Sequence, residues 1–106
     1  MFFELRQYRT KYRQRKNWIK YMEEVIIPFQ TSKGMVIVGS FISPQEKNLY
    51  LWIRRFESEA ERKRLYKEVY ESDTWKKTIG PRVPKMIDRK AIKVTRLEAT
   101  PKSIIQ

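Results

Sequence analysis

A strand-like run that leads into an amphipathic helix and then into another strand occurs twice in this chain. The first copy has Phe2-Phe3-Glu4-Leu5-Arg6-Gln7-Tyr8-Arg9, then a helical segment with Trp18, Met22, Val25 and Phe29, then Met35 to Phe41. The second has Leu49-Tyr50-Leu51-Trp52-Ile53-Arg54-Arg55-Phe56, then a segment with Leu65, Val69 and Tyr70, then Ala91 to Glu98. This βαβ–βαβ order predicts an α+β domain built on a four-stranded antiparallel sheet in the order 4-1-3-2, with helices on one face. Residues 1–98 make the domain and residues 99–106 a tail, whose Ile104 and Ile105 are expected to dock on the domain or on a partner chain.

The strand residues are apolar on both faces, and one set of helices covers only one. The other face, near Leu5, Val38, Trp52 and Val94 or their alternates, is expected to need a second sheet. With 106 residues the chain buries a smaller share of its surface than a larger domain does, and a second copy is the obvious remedy.

Local signals place the element ends. The first helix is expected from about Gln14 to Phe29, ending near Pro28, with Trp18, Met22, Val25, Ile26 and Phe29 at steps of three and four. Its start breaks a rule, because Lys11, Arg13, Arg15 and Lys16 crowd the positive end of the helix dipole. Met35-Val36-Ile37-Val38 reads as a strand covered on both faces. Ser58 and Glu61 form a capping box for the next helix. Ser72 caps a short one that Gly80-Pro81 stops. Pro81 to Arg89 is expected to be irregular, with Val83, Met86 and Ile87 packed inward.

The chain has neither cysteine nor histidine. Disulfides, thiolate nucleophiles, imidazole bases and Ser–His or Cys–His hydrolysis are excluded. Any catalysis must use Tyr, Asp, Glu, Lys, Arg or a bound group, and no cofactor is expected. No apolar stretch approaches a membrane span and no signal peptide is evident, so a soluble, cytoplasmic protein without membrane association is the expectation.

The net charge of +12 is uneven. Residues 1–20 carry seven basic residues against Glu4, residues 21–75 eight against nine acidic ones, and residues 76–106 nine against Asp88 and Glu98. Strand order 4-1-3-2 brings the two basic ends together, so Lys11, Arg13, Arg15 and Lys16 are expected near one end of the sheet with Lys93 and Arg96. Such a surface suits weak, salt-sensitive binding of nucleic acid or another polyanion, and equally a merely solvated face.

Several pieces resemble the NIPSNAP family, within the dimeric α/β-barrel (ferredoxin-like) group. They are Phe3-Glu4-Leu5-Arg6-Gln7-Tyr8-Arg9, Ile27-Pro28-Phe29, Val38-Gly39-Ser40-Phe41, Trp52-Ile53-Arg54-Arg55-Phe56, Tyr70-Glu71-Ser72-Asp73-Thr74-Trp75 and Thr95-Arg96-Leu97-Glu98-Ala99-Thr100-Pro101. The resemblance implies a ferredoxin-like sheet and a homodimer whose two sheets close into a barrel; many members have no assigned reaction, and small-ligand binding or scaffolding is the role expected of this chain. Relatives in the wider group include cofactor-free monooxygenases and haem-degrading enzymes. The haem enzymes generally use a histidine ligand, which this chain lacks.

In such a barrel, Tyr50, Trp52 and Arg54, with Arg6 and Tyr8 on the neighbouring strand, are expected to face the cavity between the sheets and form an aromatic–Arg pocket for a planar or anionic ligand. The same residues would equally serve as core packing. Tyr12, Ile42 and Leu49 look more apolar than a free rim needs, and are candidates for an extra interface in a higher-order assembly, natural or engineered.

Overall fold

The computed structural model describes residues 1–106. Strand β1 (Phe2–Arg9) pairs with β3 (Leu49–Phe56) on one side and β4 (Lys93–Leu97) on the other, and β2 (Val36–Ile42) borders β3. All pairs are antiparallel and the order is β2-β3-β1-β4, as expected from the doubled βαβ pattern. The fold is ferredoxin-like α+β. No helix is long and apolar enough to cross a membrane.

The first helical arm does not stop near Pro28. Helix α1 (Arg15–Tyr21), a π-helical stretch (Met22–Ile26) and α2 (Ile27–Ser32) follow one another without a gap. The Ile27 N–H bonds back five residues to the Met22 carbonyl. Pro28 therefore stands in the first turn of α2, where its missing N–H leaves little unmade. The basic start is also resolved by tertiary contacts. Arg15 turns away from the helix axis and donates to the carbonyls of Ser43 (2.8 Å) and Lys47 (3.1 Å), clamping the β2–β3 hairpin. Gly34, at φ +104, makes the turn out of α2.

Helix α3 (Glu59–Tyr70) starts as its sequence directs. Ser58 Oγ accepts from the Glu61 N–H at 3.1 Å. The Glu61 carboxylate accepts from the Glu57 N–H rather than from that of Ser58. Ser72 Oγ accepts from the Trp75 N–H and leads into a π-helical turn (Trp75–Ile79). Gly80-Pro81 does not end the winding, because Pro81 occupies the first turn of a 3-10 helix (Gly80–Lys85). A further 3-10 turn (Arg89–Ala91) precedes β4. The stretch expected to be irregular is thus wound as far as Lys85 and irregular from Met86 to Asp88, while Val83, Met86 and Ile87 are buried as expected.

Strand alternation sorts the sheet into two unlike faces. Glu4, Arg6, Tyr8, Tyr50, Trp52, Arg54 and Phe56 lie under the helices, and all but the half-buried Arg6 are buried. The opposite face carries Phe3, Leu5, Leu51 and Ile53, with no helix over it. Trp52 and Val94 therefore do not belong with Leu5 on the open face: Trp52 and Val94 both pair with Arg6, on the helix side. Strand β2 is an edge strand and is not covered on both faces. Val36 and Phe41 are about half exposed, and pairing shifts register between Ile37 and Gly39. Gly39 lets the Phe41 ring lie flat on the strand, since a Cβ there would stand 2.5 Å from that ring. The tail crosses this open side, where Ile105 borders a groove with Phe3, Ile53 and Leu97, while Ile104 is fully exposed.

One surface cluster ties the second half together. Glu59 at the start of α3 accepts from Arg62 (2.5 Å) and from Arg96 of β4 (2.7 Å). The two guanidiniums, Arg62 first, hold its carboxyl well below the ordinary 4.5, at about 2. A depressed folded-state value gives stability that is present above pH 4.5 and lost as pH falls towards 2. Urea unfolding is expected to show wild type more stable than Glu59→Gln at neutral pH, with the gap closing across that acid window. A gap independent of pH would contradict this assignment.

Candidate functional site

The helix-covered face of the sheet does not fill completely. A cavity of about 200 Å³ lies between the sheet and the helices of one chain. Its floor is Arg6 and Tyr8 of β1 and Trp52 of β3. Its roof is the stripe Trp18, Met22, Ile26 and Gln30, at steps of four along the first helical arm. The second half closes it with Tyr70, Trp75, Val83, Ile87, Arg89 and Ile92. Arg89 is exposed and Trp75 and Ile92 are half-buried, so the mouth lies on that side. All three tryptophans of the chain line this one cavity.

Aromatic packing sets the floor. Tyr8 meets Trp18, Tyr50 and Trp52 at ring-centroid distances of 5.8, 6.1 and 6.4 Å, in tilted or edge-on arrangements. Arg6 Nε donates to the Tyr8 hydroxyl at 2.8 Å. Burial pushes the Tyr8 phenol up from its ordinary value, with the Arg6 cation opposing, so it stays protonated at neutral pH.

A polar network lies beside the cavity. Arg54 is fully buried. It donates to Glu4 (2.9 Å), Tyr66 (2.8 Å), Tyr70 (2.7 Å) and Gln30 (2.9 Å). Its guanidinium also lies 4.8 Å from the Trp52 ring centroid. The Tyr66 hydroxyl donates to the same Glu4 oxygen at 2.6 Å, and burial first of all pushes that phenol up to about 12. A buried cation is tolerated only when paired and hydrogen-bonded, and both terminal nitrogens of this one are, while its Nε–H has no partner.

The expected pocket residues divide. Arg6, Tyr8 and Trp52 line the cavity, whereas Tyr50 and Arg54 do not. Tyr50 packs behind Tyr8 and bonds to Ser40 at 2.5 Å. Arg54 fixes the position of two wall residues, Gln30 and Tyr70. The cavity also lies elsewhere than expected. It opens on the helix side of the sheet and not between two sheets, because β1 and β3 place Tyr8 and Trp52 together under the helices. Sequence reasoning missed Trp18, Trp75, Gln30, Ile87 and Arg89 as lining residues. The clue was present in Gln30, a polar side chain continuing the Trp18–Met22–Ile26 stripe by one more step of four.

The basic residues gather only in part. Lys11, Arg13, Arg15 and Lys47 border one depression beside Tyr12, with Lys16 exposed on α1. Arg13 sits at φ +59 with its guanidinium 5.1 Å from the Tyr12 ring centroid. Lys93 pairs with Gln7, towards the same end of β1. Arg96 does not join them. It pairs with Glu4 at the opposite end of β1 and is engaged by Glu59 and the Phe2 ring. Tyr12, Ile42 and Leu49 do not form one patch, since Ile42 shares the helix side with Tyr50 while Leu49 is on the open face. Tyr12 and Ile42 are exposed, and Leu49 is half-buried.

The family model of NIPSNAP matches residues 3–101. No curated protein matches the chain. Among solved structures, a NIPSNAP family protein of unknown function from Agrobacterium tumefaciens is 23% identical, with 100% of this chain and 94% of that one covered and a TM-score of 0.89. A second NIPSNAP family protein from the same species is 19% identical over 99% and 98% of the two chains, at a TM-score of 0.88. An antibiotic biosynthesis monooxygenase is 11% identical over 95% and 100%, at 0.67. At these identities the likeness is one of fold.

Proposed function

The chain belongs to the NIPSNAP family, and from its cavity we propose that it is a homodimeric small-ligand-binding protein whose site lies between sheet and helices within each protomer. The carrying observation is the cavity itself. It is walled by apolar and aromatic side chains, with a few polar groups held in place by the Arg54 network, the usual composition of a small-molecule site. At about 200 Å³ it is smaller than the roughly 300–1,000 Å³ of drug-sized sites and suits a compact ligand.

The homodimer is supported by the open face. Val36, Phe41 and Leu97 are exposed there, beside half-buried Leu5, Leu51 and Ile53. A second sheet of the same chain, laid face to face, would cover them and leave both cavities outside the barrel.

Because every tryptophan lines the site, intrinsic fluorescence is the natural readout. Titration with small aromatic compounds is expected to change the emission saturably. Ile92→Phe, which adds bulk at the half-buried mouth, is expected to weaken that binding at least tenfold while the fold persists. Unaltered binding in Ile92→Phe would place the ligand elsewhere. The likeness to an antibiotic biosynthesis monooxygenase motivates a second reading, cofactor-free oxygenation. Recovery of the bound compound unchanged after incubation in air would exclude it for that compound.

A further inference from the structure

We propose that the cavity selects a small hydrophobic anion, a carboxylate or an acidic enol carried on an apolar body; the inference rests on the cavity being a ligand site and adds the charge of its occupant.

Donors outnumber acceptors around the cavity. Arg6 forms no ion pair. Its guanidinium is spent on two tyrosine hydroxyls, Tyr8 at 2.8 Å and Tyr66 at 3.4 Å. The one carboxylate buried beneath the helices, Glu4, is committed to Arg54 and Tyr66, with Arg62, itself held by Glu59, 4.0 Å from its other oxygen. Two guanidiniums, Arg6 and Arg54, thus face a single buried carboxylate, with one positive charge left over on the cavity side. Arg89 at the mouth is a second cation without a carboxylate, bonded only to the Gly80 carbonyl at 3.4 Å.

The remaining polar groups have the same sign. The Tyr8 hydroxyl accepts from Arg6 and keeps its own proton free to donate. Tyr70 accepts from Arg54 and Gln30, and its proton is likewise uncommitted. The indole N–H groups of Trp18 and Trp52 find no acceptor in the protein. The one side-chain amide oxygen in the wall, that of Gln30, is taken by Arg54. The lining therefore offers chiefly donors and positive charge, its one side-chain amide oxygen being already bonded. A neutral or cationic ligand would leave Arg6 uncompensated in a poorly hydrated space, whereas an anion completes it. The rest of the wall, Met22, Ile26, Val83, Ile87 and Ile92, accepts only an apolar body.

The test uses matched pairs that differ in charge and little in shape, phenylacetate against phenylacetamide and indole-3-acetate against indole-3-acetamide, titrated calorimetrically into the full chain. The acid of each pair is expected to bind at least tenfold more tightly, and Arg6→Gln is expected to bring the acid–amide ratio to about one. If Arg6→Gln does not fold, the acid–amide ratio in wild type and in Arg89→Gln, expected to fall by a smaller factor, carries the decision. Equal binding of acid and amide would overturn the charge inference and leave the ligand site standing. Binding of neither member of either pair would overturn both.

Discussion

Glu4→Leu is expected to destabilise the protein by about 3–5 kcal/mol, as breaking one side of a buried ion pair generally does. The reason lies in what is left behind. Arg54 is fully buried, and no other carboxylate touches it. Without Glu4 its charge has three neutral oxygen acceptors, Gln30, Tyr66 and Tyr70, the Met35 sulfur, and four aromatic rings. Arg54→Met is expected to cost a similar amount, since it leaves the buried Glu4 carboxylate with the Tyr66 hydroxyl and, as its nearest cation, only Arg62 at 4.0 Å. The double variant Glu4→Leu/Arg54→Met removes both members of the pair together, and is expected to be markedly less destabilised than the sum of the two singles. Urea unfolding of the three variants gives the coupling directly. Additive losses, or single losses below about 1 kcal/mol, would show that the pair does not organise this side of the core.

The second large effect concerns the open face. Ile53 sits near its centre, paired with Leu5 on β1 and Gly39 on β2. In a symmetric dimer every substitution counts twice, once in each protomer. Ile53→Asp would bring two carboxylates into the sheet–sheet contact, where Arg55, a cation of that face, already faces Glu57 at 3.6 Å. It is expected to weaken self-association at least a thousandfold and to give a monomer at micromolar concentration by light scattering, while wild type stays dimeric. The helix-side core, which Ile53 does not touch, is expected to keep the variant folded. A wild-type monomer, or an Ile53→Asp dimer, would remove the open face as the self-association surface.

The sheet was legible because the two strand–helix–strand copies carry unambiguous periodicities, and the order 4-1-3-2 follows from them. What alternation could not decide is which face the helices take. Both faces of β1 and β3 are apolar enough to be core: Tyr8 and Trp52 on one, Leu5 and Ile53 on the other. That undecided choice put the expected cavity between two sheets when it lies under the helices. The register of Arg6, Tyr8 and Trp52 was nonetheless readable, and these three do meet. Arg54 shares their face but turns to Glu4, because charge pairing across fifty residues leaves no trace in local pattern. Pro28 misled for a different reason. A proline ends a regular helix, but the π-helical stretch before it re-registers the backbone, and nothing in Met22–Ile26 announces that widening. The short helix after Ser72 was expected, but not its π-helical form nor the 3-10 turn from Gly80 to Lys85 that continues it; this stretch gives Trp75 and Val83 to the cavity wall.

The three indole N–H resonances of Trp18, Trp52 and Trp75 report on the central claim with little ambiguity, since each ring borders the cavity. A two-dimensional nitrogen–proton spectrum of the labelled protein titrated with phenylacetate is expected to show all three moving together and saturably, with resonances of the open sheet face and of the Lys11–Arg15 loop unmoved. Saturable shifts confined to those surfaces, with the three indole signals fixed, would contradict a ligand site between sheet and helices.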